Sequence, residues 1–373
     1  MSTKTSDITV IGGGVVGLSV AIGLLRAGNR VTVLDGADGD PRASQGNFGL
    51  VWLQGKGASY APYAHLTSEA VSGWPEFASL IEDLSGVNLS LDQSGGYEFF
   101  TEEAEFRDFA ADLKQQQQFL GNHFSFETIQ GDDLRRSHPQ IGAGVVGATF
   151  SALDGHVNPL RLLKALKQAV AALGGEIVND AHVTDVSGGS SGFDFSLRSG
   201  AHHGADRVVL AAGLGAATLA ERLGFQTRVR PQRGELLITE KLSERLPFLS
   251  STIRQTDEGG LQIGGTKADA GYDDSETLDV MAGLAQHAVT VLPTLHDLRV
   301  VRAWGALRVM SPDGHPVYAR SSTLPGAYLV TCHSGVTLAP FHGGALAQWI
   351  DDTTDAPNLG AFDEDRFTLS PAA

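Results

Sequence analysis

The architecture is most legible in one N-terminal stretch, Asp7-Ile8-Thr9-Val10-Ile11-Gly12-Gly13-Gly14-Val15-Val16-Gly17-Leu18. Residues 8–11 are rich in β-branched side chains and read as a short buried strand. Gly12, Gly14 and Gly17 then stand at the G-x-G-x-x-G spacing. Gly12 serves the tight turn, Gly14 lets a pyrophosphate approach the backbone, and Gly17 lets the following helix pack close to the strand. That helix is expected over residues 16–27, stopped by Gly28-Asn29. Its N-terminus offers unpaired N–H groups and a positive dipole end to an anion. A second strand at residues 31–34 ends in Asp35, about 20 residues beyond the glycines, where a carboxylate can accept from a ribose hydroxyl. Strand, glycines, helix, strand and acid arrive in the order a dinucleotide site requires.

Outward from this stretch, the 373 residues are long for a single core, so two domains are expected. A formal net charge of −16 argues against nucleic acid or an anionic membrane surface as partner. No apolar run approaches the roughly 20 residues of a spanning helix, and the chain enters its first strand without room for a signal peptide. Cys332 is the one cysteine, so no disulfide, zinc cluster or iron–sulfur cluster can form within the chain, and a cytoplasmic setting is expected. No metal-ligand spacing is present.

Further along, residues 36–42 are polar. Residues 43–52, Ala43-Ser44-Gln45-Gly46-Asn47-Phe48-Gly49-Leu50-Val51-Trp52, mix small residues with Asn and aromatics, as in a loop lying against a flat ligand. Helical patterns cover 66–84, interrupted at Pro75, and 102–119; residues 89–100 between them read as a hairpin. Asn158 before Pro159 caps a helix reaching about residue 173. Strands follow at 176–178, 183–186 and 193–197, and a buried strand at 205–211 returns to the first sheet. Residues 230–238, 259–266 and 304–310 are strand-like, and 276–292 helical. A last buried strand at 327–331 leads through Cys332-His333-Ser334-Gly335-Val336-Thr337 into a helix at 341–350, and the tail after Asp351 is expected to be loose. The fold class expected is α/β: a Rossmann-like nucleotide-binding domain (residues 1–60, 140–222 and 318–373) interleaved with a strand-rich α+β substrate domain (61–139 and 223–317).

Taken together, residues 12–17, Asp35, 231–237, 304–316 and 333–339 resemble the FAD-dependent D-amino-acid oxidase/dehydrogenase family, which contains glycine oxidase, sarcosine oxidase and D-amino-acid dehydrogenase. Residues 43–52 look most like the β subunits of bacterial opine (octopine and nopaline) oxidases, with the β subunits of D-hydroxyproline dehydrogenase and hydrogen cyanide synthase as near kin. The resemblance implies FAD as cofactor. Gly12, Gly14, Val15, Val16 and Gly17 would hold its pyrophosphate and Asp35 its adenosine ribose. Ser44, Asn47, Gly49 and Leu50 would line the flavin, and Val183 would sit by the adenine. Ala212 and Gly213 would close over the dinucleotide, and Gly335, Val336 and Thr337 would meet the flavin ring. Sarcosine oxidases tether their flavin to a cysteine shortly before the segment matching Ser311-Pro312-Asp313. Here Ala306 stands in that neighbourhood, so FAD is expected to be non-covalent.

The resemblance also implies oxidation of an amine α to a carboxylate. A guanidinium holds a carboxylate best because its planar fork binds both oxygens. Family position favours Arg308, with Arg302 and Arg233 as rivals. His333 stands where it could meet substrate or flavin, or simply be a satisfied histidine. For Tyr97 and Tyr272, plain packing is the stronger expectation. No acid–base residue is required, since a neutral amine can lose hydride directly. Three functions stay open: an FAD enzyme acting on an opine, imino acid or D-amino acid; a non-catalytic flavoprotein subunit; and an NAD enzyme using the same fingerprint. For the first, the resemblance implies either a β subunit partnered by α and γ subunits carrying further flavin or iron–sulfur centres, or a self-sufficient oxidase.

Overall fold

The computed structural model describes residues 4–36, 42–189, 192–226, 228–353 and 356–367; residues 37–41 of the polar stretch after Asp35 lie outside them. The N-terminal strand, Lys4–Ile11, runs at the centre of an eight-stranded sheet. It pairs in parallel with Val31–Leu34 on one side and with His202–Leu210 on the other, so Val10 stands opposite both Val33 and Val209. Glu176–Val178 extends the sheet beyond Val31–Leu34, and Ala327–Thr331 extends it beyond His202–Leu210, also in parallel. Such strands are covered on both faces, which is why every residue of 31–34 and 327–331 is buried, Thr32 and Thr331 included. Val183–Gly189 and Gly192–Leu197 form the expected antiparallel pair.

The helix after the glycines spans Val15–Arg26 and stops where Gly28 turns left-handed at φ +94°. Leu18, Ile22 and Leu24 on it are fully buried. Truncating any of them to Ala would cost about 2–5 kcal/mol. Pro75 does not end helical structure but restarts it: one helix covers Ala61–Ser72 and a second, with Pro75 in its first turn, covers Trp74–Ser85. Asn158 accepts from the Arg161 amide at 3.2 Å and caps Pro159–Ala172.

The second half of the molecule joins two smaller sheets. Gly96–Phe100, Gly147–Ser151 and Glu127–Gln130 form one. The other orders Ile253–Gln255, Gly260–Ile263, Arg230–Lys241 and Val300–Met310, with the Leu278–Val291 helix sharing its core. A bridge between Tyr97 and Ser250 links the sheets.

Four expectations change. Residues 89–100 are not a hairpin; only Gly96–Phe100 is a strand, and its partner is distant Gly147–Ser151. That partner lies inside the span expected to build the nucleotide-binding domain, yet pairs wholly within the substrate-side sheet. Conversely, the helices of residues 61–85 bury Tyr63, Trp74 and Ile81 in the same core as Leu18 and Val209. The last helix breaks at Gly344 into Ala339–Gly343 and Ala345–Ile350. Of the tail, residues 356–367 pack back onto the protein: Leu359 and Phe362 are buried, the Tyr60 hydroxyl donates to the Ala361 carbonyl at 2.7 Å, and Arg366 pairs with Asp313 at 2.8 Å. Two apolar side chains on a polar tail are enough to dock it.

Candidate functional site

A cavity of about 430 Å³ opens at the carboxyl ends of the central parallel strands, the place where α/β sheets bind ligands. Gly12, Gly14, Val15 and Val16 line it. Gly17 does not; it sits behind, where a Cβ would come within 2.0 Å of the Gly12 carbonyl oxygen. The Val15–Arg26 helix presents its N-terminus there, with no acidic residue in its first turn to oppose an anion. Ser44 accepts from the Val15 amide at 3.0 Å and so brings residues 43–47 over the turn. A Cβ on Gly14 would stand 3.0 Å from that same hydroxyl oxygen and narrow the cleft.

Asp35 lies buried in the cavity wall at the end of its strand. Its carboxylate accepts from the Gly13 amide at 3.2 Å and pairs with Arg42 at 3.1 Å and Lys167 at 3.3 Å. Val183, Ala212 and Gly213 line the cavity, with Ala181, His182 and Thr218. These last three carried no sequence signal, because Ala181 and His182 sit in a loop and Thr218 in the short helix Ala216–Leu219, segments that only folding brings to the cavity.

Leu307, Val309, Cys332, His333, Gly335 and Val336 also line the cavity, Leu307 and Val309 packing with Leu214. Asn47 lines the cavity, but Gly49, Leu50 and Thr337 do not. Instead the Thr337 hydroxyl donates to the Leu50 carbonyl at 3.1 Å, tying the two ligand-facing loops to each other. The helices of residues 61–85 brace the second loop: Trp74 Nε1 donates to the Thr337 carbonyl at 3.1 Å and the Tyr63 hydroxyl to Ser334 Oγ at 2.9 Å. A glycine-lined cleft with a buried carboxylate and a helix N-terminus in its wall fits an adenine dinucleotide.

Arg308 does not line this cavity, although its strand neighbours Leu307 and Val309 do. Its guanidinium donates to the Arg233 carbonyl at 3.3 Å, and burial draws its pKa down. No ion pair to a carboxylate is present for it among the described residues. The rivals differ. Arg233 is buried and neutralised by Asp273 at 2.8 Å and Glu235 at 3.4 Å, so it holds the fold. Arg302 is exposed, over the Trp304 ring. Tyr97 stacks on Phe99 inside the substrate-side core, as expected from packing, whereas Tyr272 is 61% exposed at the cavity rim.

His333 is half-buried, and desolvation together with the cations Lys56, Arg308 and Lys267 drives its pKa well below the ordinary value. It is therefore neutral at physiological pH. Lys56 is pulled down to about 8 by burial and by its cationic neighbours Lys267 and Arg308. Glu98 is pushed up to about 7 by burial. Strand alternation explains its aim: Tyr97 and Phe99 point into the core, so Glu98 takes the opposite face, where Ser251 donates to it. Lys56 and Glu98 escaped sequence reasoning because one sits in an irregular loop and the other in a misread strand. The Cys332 thiol is pushed up to about 12 by burial. A thiol so far from ionising is a poor nucleophile even though it borders the cavity.

Comparison with known proteins agrees with this geometry. The chain matches the DAO family, FAD dependent oxidoreductase, over residues 7–349. It is 39% identical to the B subunit of opine oxidase from Agrobacterium tumefaciens (strain Ach5), with 98% of this chain and 99% of that protein covered. The corresponding Rhizobium meliloti protein is 37% identical over the same shares. Among solved structures, glycine oxidase from Geobacillus kaustophilus superposes with a TM-score of 0.86 at 23% identity, covering 97% of this chain and 98% of that one. Among the described residues no helix is long and apolar enough to cross a membrane, and no group of His, Cys, Asp or Glu is placed to hold a metal ion. With the cleft, its carboxylate and its glycine turn in place, the chain belongs to the family of FAD-dependent oxidoreductases, enzymes acting on amine and amino-acid substrates.

Proposed function

We propose that this chain oxidises an amine α to a carboxylate, in an opine, imino acid or D-amino acid, as the FAD-carrying β subunit of a heteromeric dehydrogenase. The observation that carries the reading is Arg308: a half-buried guanidinium on the strand whose Leu307 and Val309 line the cavity, with no carboxylate of its own among the described residues. A cation partly withdrawn from water and left without a counter-ion is costly, and a substrate carboxylate offsets that cost on binding.

In this reading Gly12, Gly14, Val15 and Val16 hold the pyrophosphate, with Gly17 keeping the helix against the strand. Asp35 takes the ribose hydroxyls and Val183 the adenine side. Ala212 and Gly213 close over the dinucleotide. Ser44, Asn47, Gly335 and Val336 meet the flavin, while Gly49, Leu50 and Thr337 support them from behind. When bound, FAD would supply the two-electron oxidant that takes the Cα hydride of the amine. Arg308 fixes the substrate so that its Cα–H faces the ring. His333, neutral, adds no charge that would repel an amine. Ala306 stands where a tethering cysteine would be needed, so FAD is held without a covalent link.

The heteromeric role draws support from the two opine oxidase relatives, each the B chain of its enzyme, and from composition: one cysteine cannot ligate an iron–sulfur cluster. The test is flavin bleaching across opines, D-amino acids, sarcosine, glycine and proline analogues, followed by turnover with oxygen or an artificial dye. Arg308→Lys keeps the charge and loses the fork, so kcat/KM should fall by tenfold or more. Kinetics untouched by Arg308→Lys would refute its role. Rapid peroxide formation by the isolated chain, indifferent to added partners, would refute the heteromer.

A further inference from the structure

The substrate-side half also contributes to the wall of the dinucleotide cavity, through Leu307, Val309 and Tyr272. Tyr272 differs from the other two. It is 61% exposed, whereas Leu307 and Val309 are buried against Leu214. Among the described residues its ring contacts no other ring and its hydroxyl makes no hydrogen bond. An aromatic ring left in water forgoes the burial and ring contacts through which such residues stabilise a fold.

Its backbone, by contrast, is held firmly. Residues Ala270, Gly271, Tyr272 and Asp273 form a tight turn, closed by the Asp273 amide donating to the Ala270 carbonyl at 3.2 Å. Gly271 is left-handed there, at φ +58°, a conformation that suits glycine. Before the turn, Ala268 exchanges two backbone hydrogen bonds with Arg233, each 2.9 Å. Within and after it, Asp273 takes the Arg233 guanidinium at 2.8 Å, and Thr277 donates from its amide and its hydroxyl to Glu235 at 2.8 and 3.1 Å. The Asp274 carbonyl lies over Gly305, where a Cβ would come within 2.3 Å of its oxygen. Buried Arg233 and Glu235 thus strap the loop down on both sides of Tyr272. A ring presented in this way has lost much of its freedom before a ligand arrives, so covering one costs little further entropy.

Gly305 also indicates which part of the ligand the ring meets. Its neighbour Ala306 stands against Gly46, whose added Cβ would lie 2.3 Å from the Ala306 Cβ. Gly46 belongs to the loop whose Ser44 and Asn47 are read as meeting the flavin. Resting on that reading, we propose that Tyr272 is a further FAD-binding residue, its ring lying against the flavin portion of the cofactor and closing the cleft from the substrate-side sheet. Arg233, which touches no ligand, is then the residue that positions the ring, through Ala268 and Asp273.

The test is calorimetric titration of the full-length apoprotein with FAD and with ADP, which carries adenosine and both phosphates but no flavin. Tyr272→Ala should weaken FAD by roughly tenfold, the scale of one aromatic contact, and leave ADP within about twofold of wild type. Tyr272→Phe should keep FAD within about threefold of wild type, because the ring and not the hydroxyl makes the contact. Wild-type FAD affinity in Tyr272→Ala, or an equal loss of FAD and ADP, overturns the flavin contact. A loss in Tyr272→Phe as large as in Tyr272→Ala overturns the ring as its source. Gly14→Ala should weaken FAD and ADP alike. If it weakens neither, the reading of the glycine turn as the pyrophosphate site fails, whatever Tyr272 does.

Discussion

Gly14 and Gly17 belong to one fingerprint, yet the structure gives them separable duties that a pair of alanine substitutions can tell apart. In Gly17→Ala the new Cβ would stand 2.0 Å from the Gly12 carbonyl oxygen and 3.2 Å from Val10 Cγ1. The first contact is with backbone and falls more than an ångström short of ordinary contact, so helix and strand must separate. Overpacking costs about 1–3 kcal/mol, and a contact with rigid backbone lies at the upper end. Alanine's helix preference returns about 1 kcal/mol, leaving a net loss of about 2 kcal/mol. In urea, at an m-value of about 3 kcal/mol/M or more, the unfolding midpoint of the apoprotein should drop by roughly 0.5 M. In Gly14→Ala, by contrast, the backbone at φ −81°, ψ 178° suits any residue, and the Cβ meets only Ser44 Oγ, at 3.0 Å. A hydroxyl can give way by a few tenths of an ångström, so apoprotein stability should change by less than about 0.5 kcal/mol. The methyl nevertheless occupies the cleft, so FAD affinity should fall by tenfold or more. A wild-type urea midpoint for Gly17→Ala would refute the steric argument. A wild-type FAD Kd for Gly14→Ala would show that the pyrophosphate lies elsewhere.

Asp35→Ala should weaken FAD binding by about 1–3 kcal/mol, the range for a charged hydrogen bond. It should also lower apoprotein stability, because Arg42 and Lys167 lose their buried partner; an unchanged FAD Kd in equilibrium titration would count against the ribose role. Acid precipitation should release all the yellow colour as free FAD, and colour retained in the pellet would disprove non-covalent binding. Glu98 offers a pH test, since its pKa is raised from 4.5 to about 7 in the folded protein. The native state then holds a proton the unfolded chain has lost, a contribution complete below the unfolded pKa and lost as pH rises through the folded one. Relative to wild type, Glu98→Gln apoprotein should therefore gain urea resistance on going from about pH 5 to about pH 8; parallel midpoints at both would reject the buried-carboxyl assignment.

The sequence alone determined the first strand–turn–helix–strand unit of the nucleotide-binding half. Adjacent residues carry that information: the β-branched run at residues 8–11, the spaced glycines and Asp35 lie on one continuous strand–turn–helix–strand unit. The cap at Asn158 and the restart at Pro75 are equally local, since a cap or a missing N–H acts within one helical turn. Tertiary structure decided what depends on pairing between distant segments. Residues 89–100 contain turn chemistry and alternating side chains, yet Gly96–Phe100 finds its partner at Gly147–Ser151, because sheet pairing follows the buried face, not nearness in the chain. That register aims Glu98 away from the Tyr97 and Phe99 core. The same holds for the cations. Arg233 and Arg308 look alike in the chain, but the antiparallel ladder sets Arg233 between Glu235 and Asp273 and leaves Arg308 with a backbone carbonyl. Lys56 gave no signal at all in its glycine loop. Its meaning comes from burial and from neighbours hundreds of residues away, and a side chain's electrostatic surroundings exist only once the chain has folded around it.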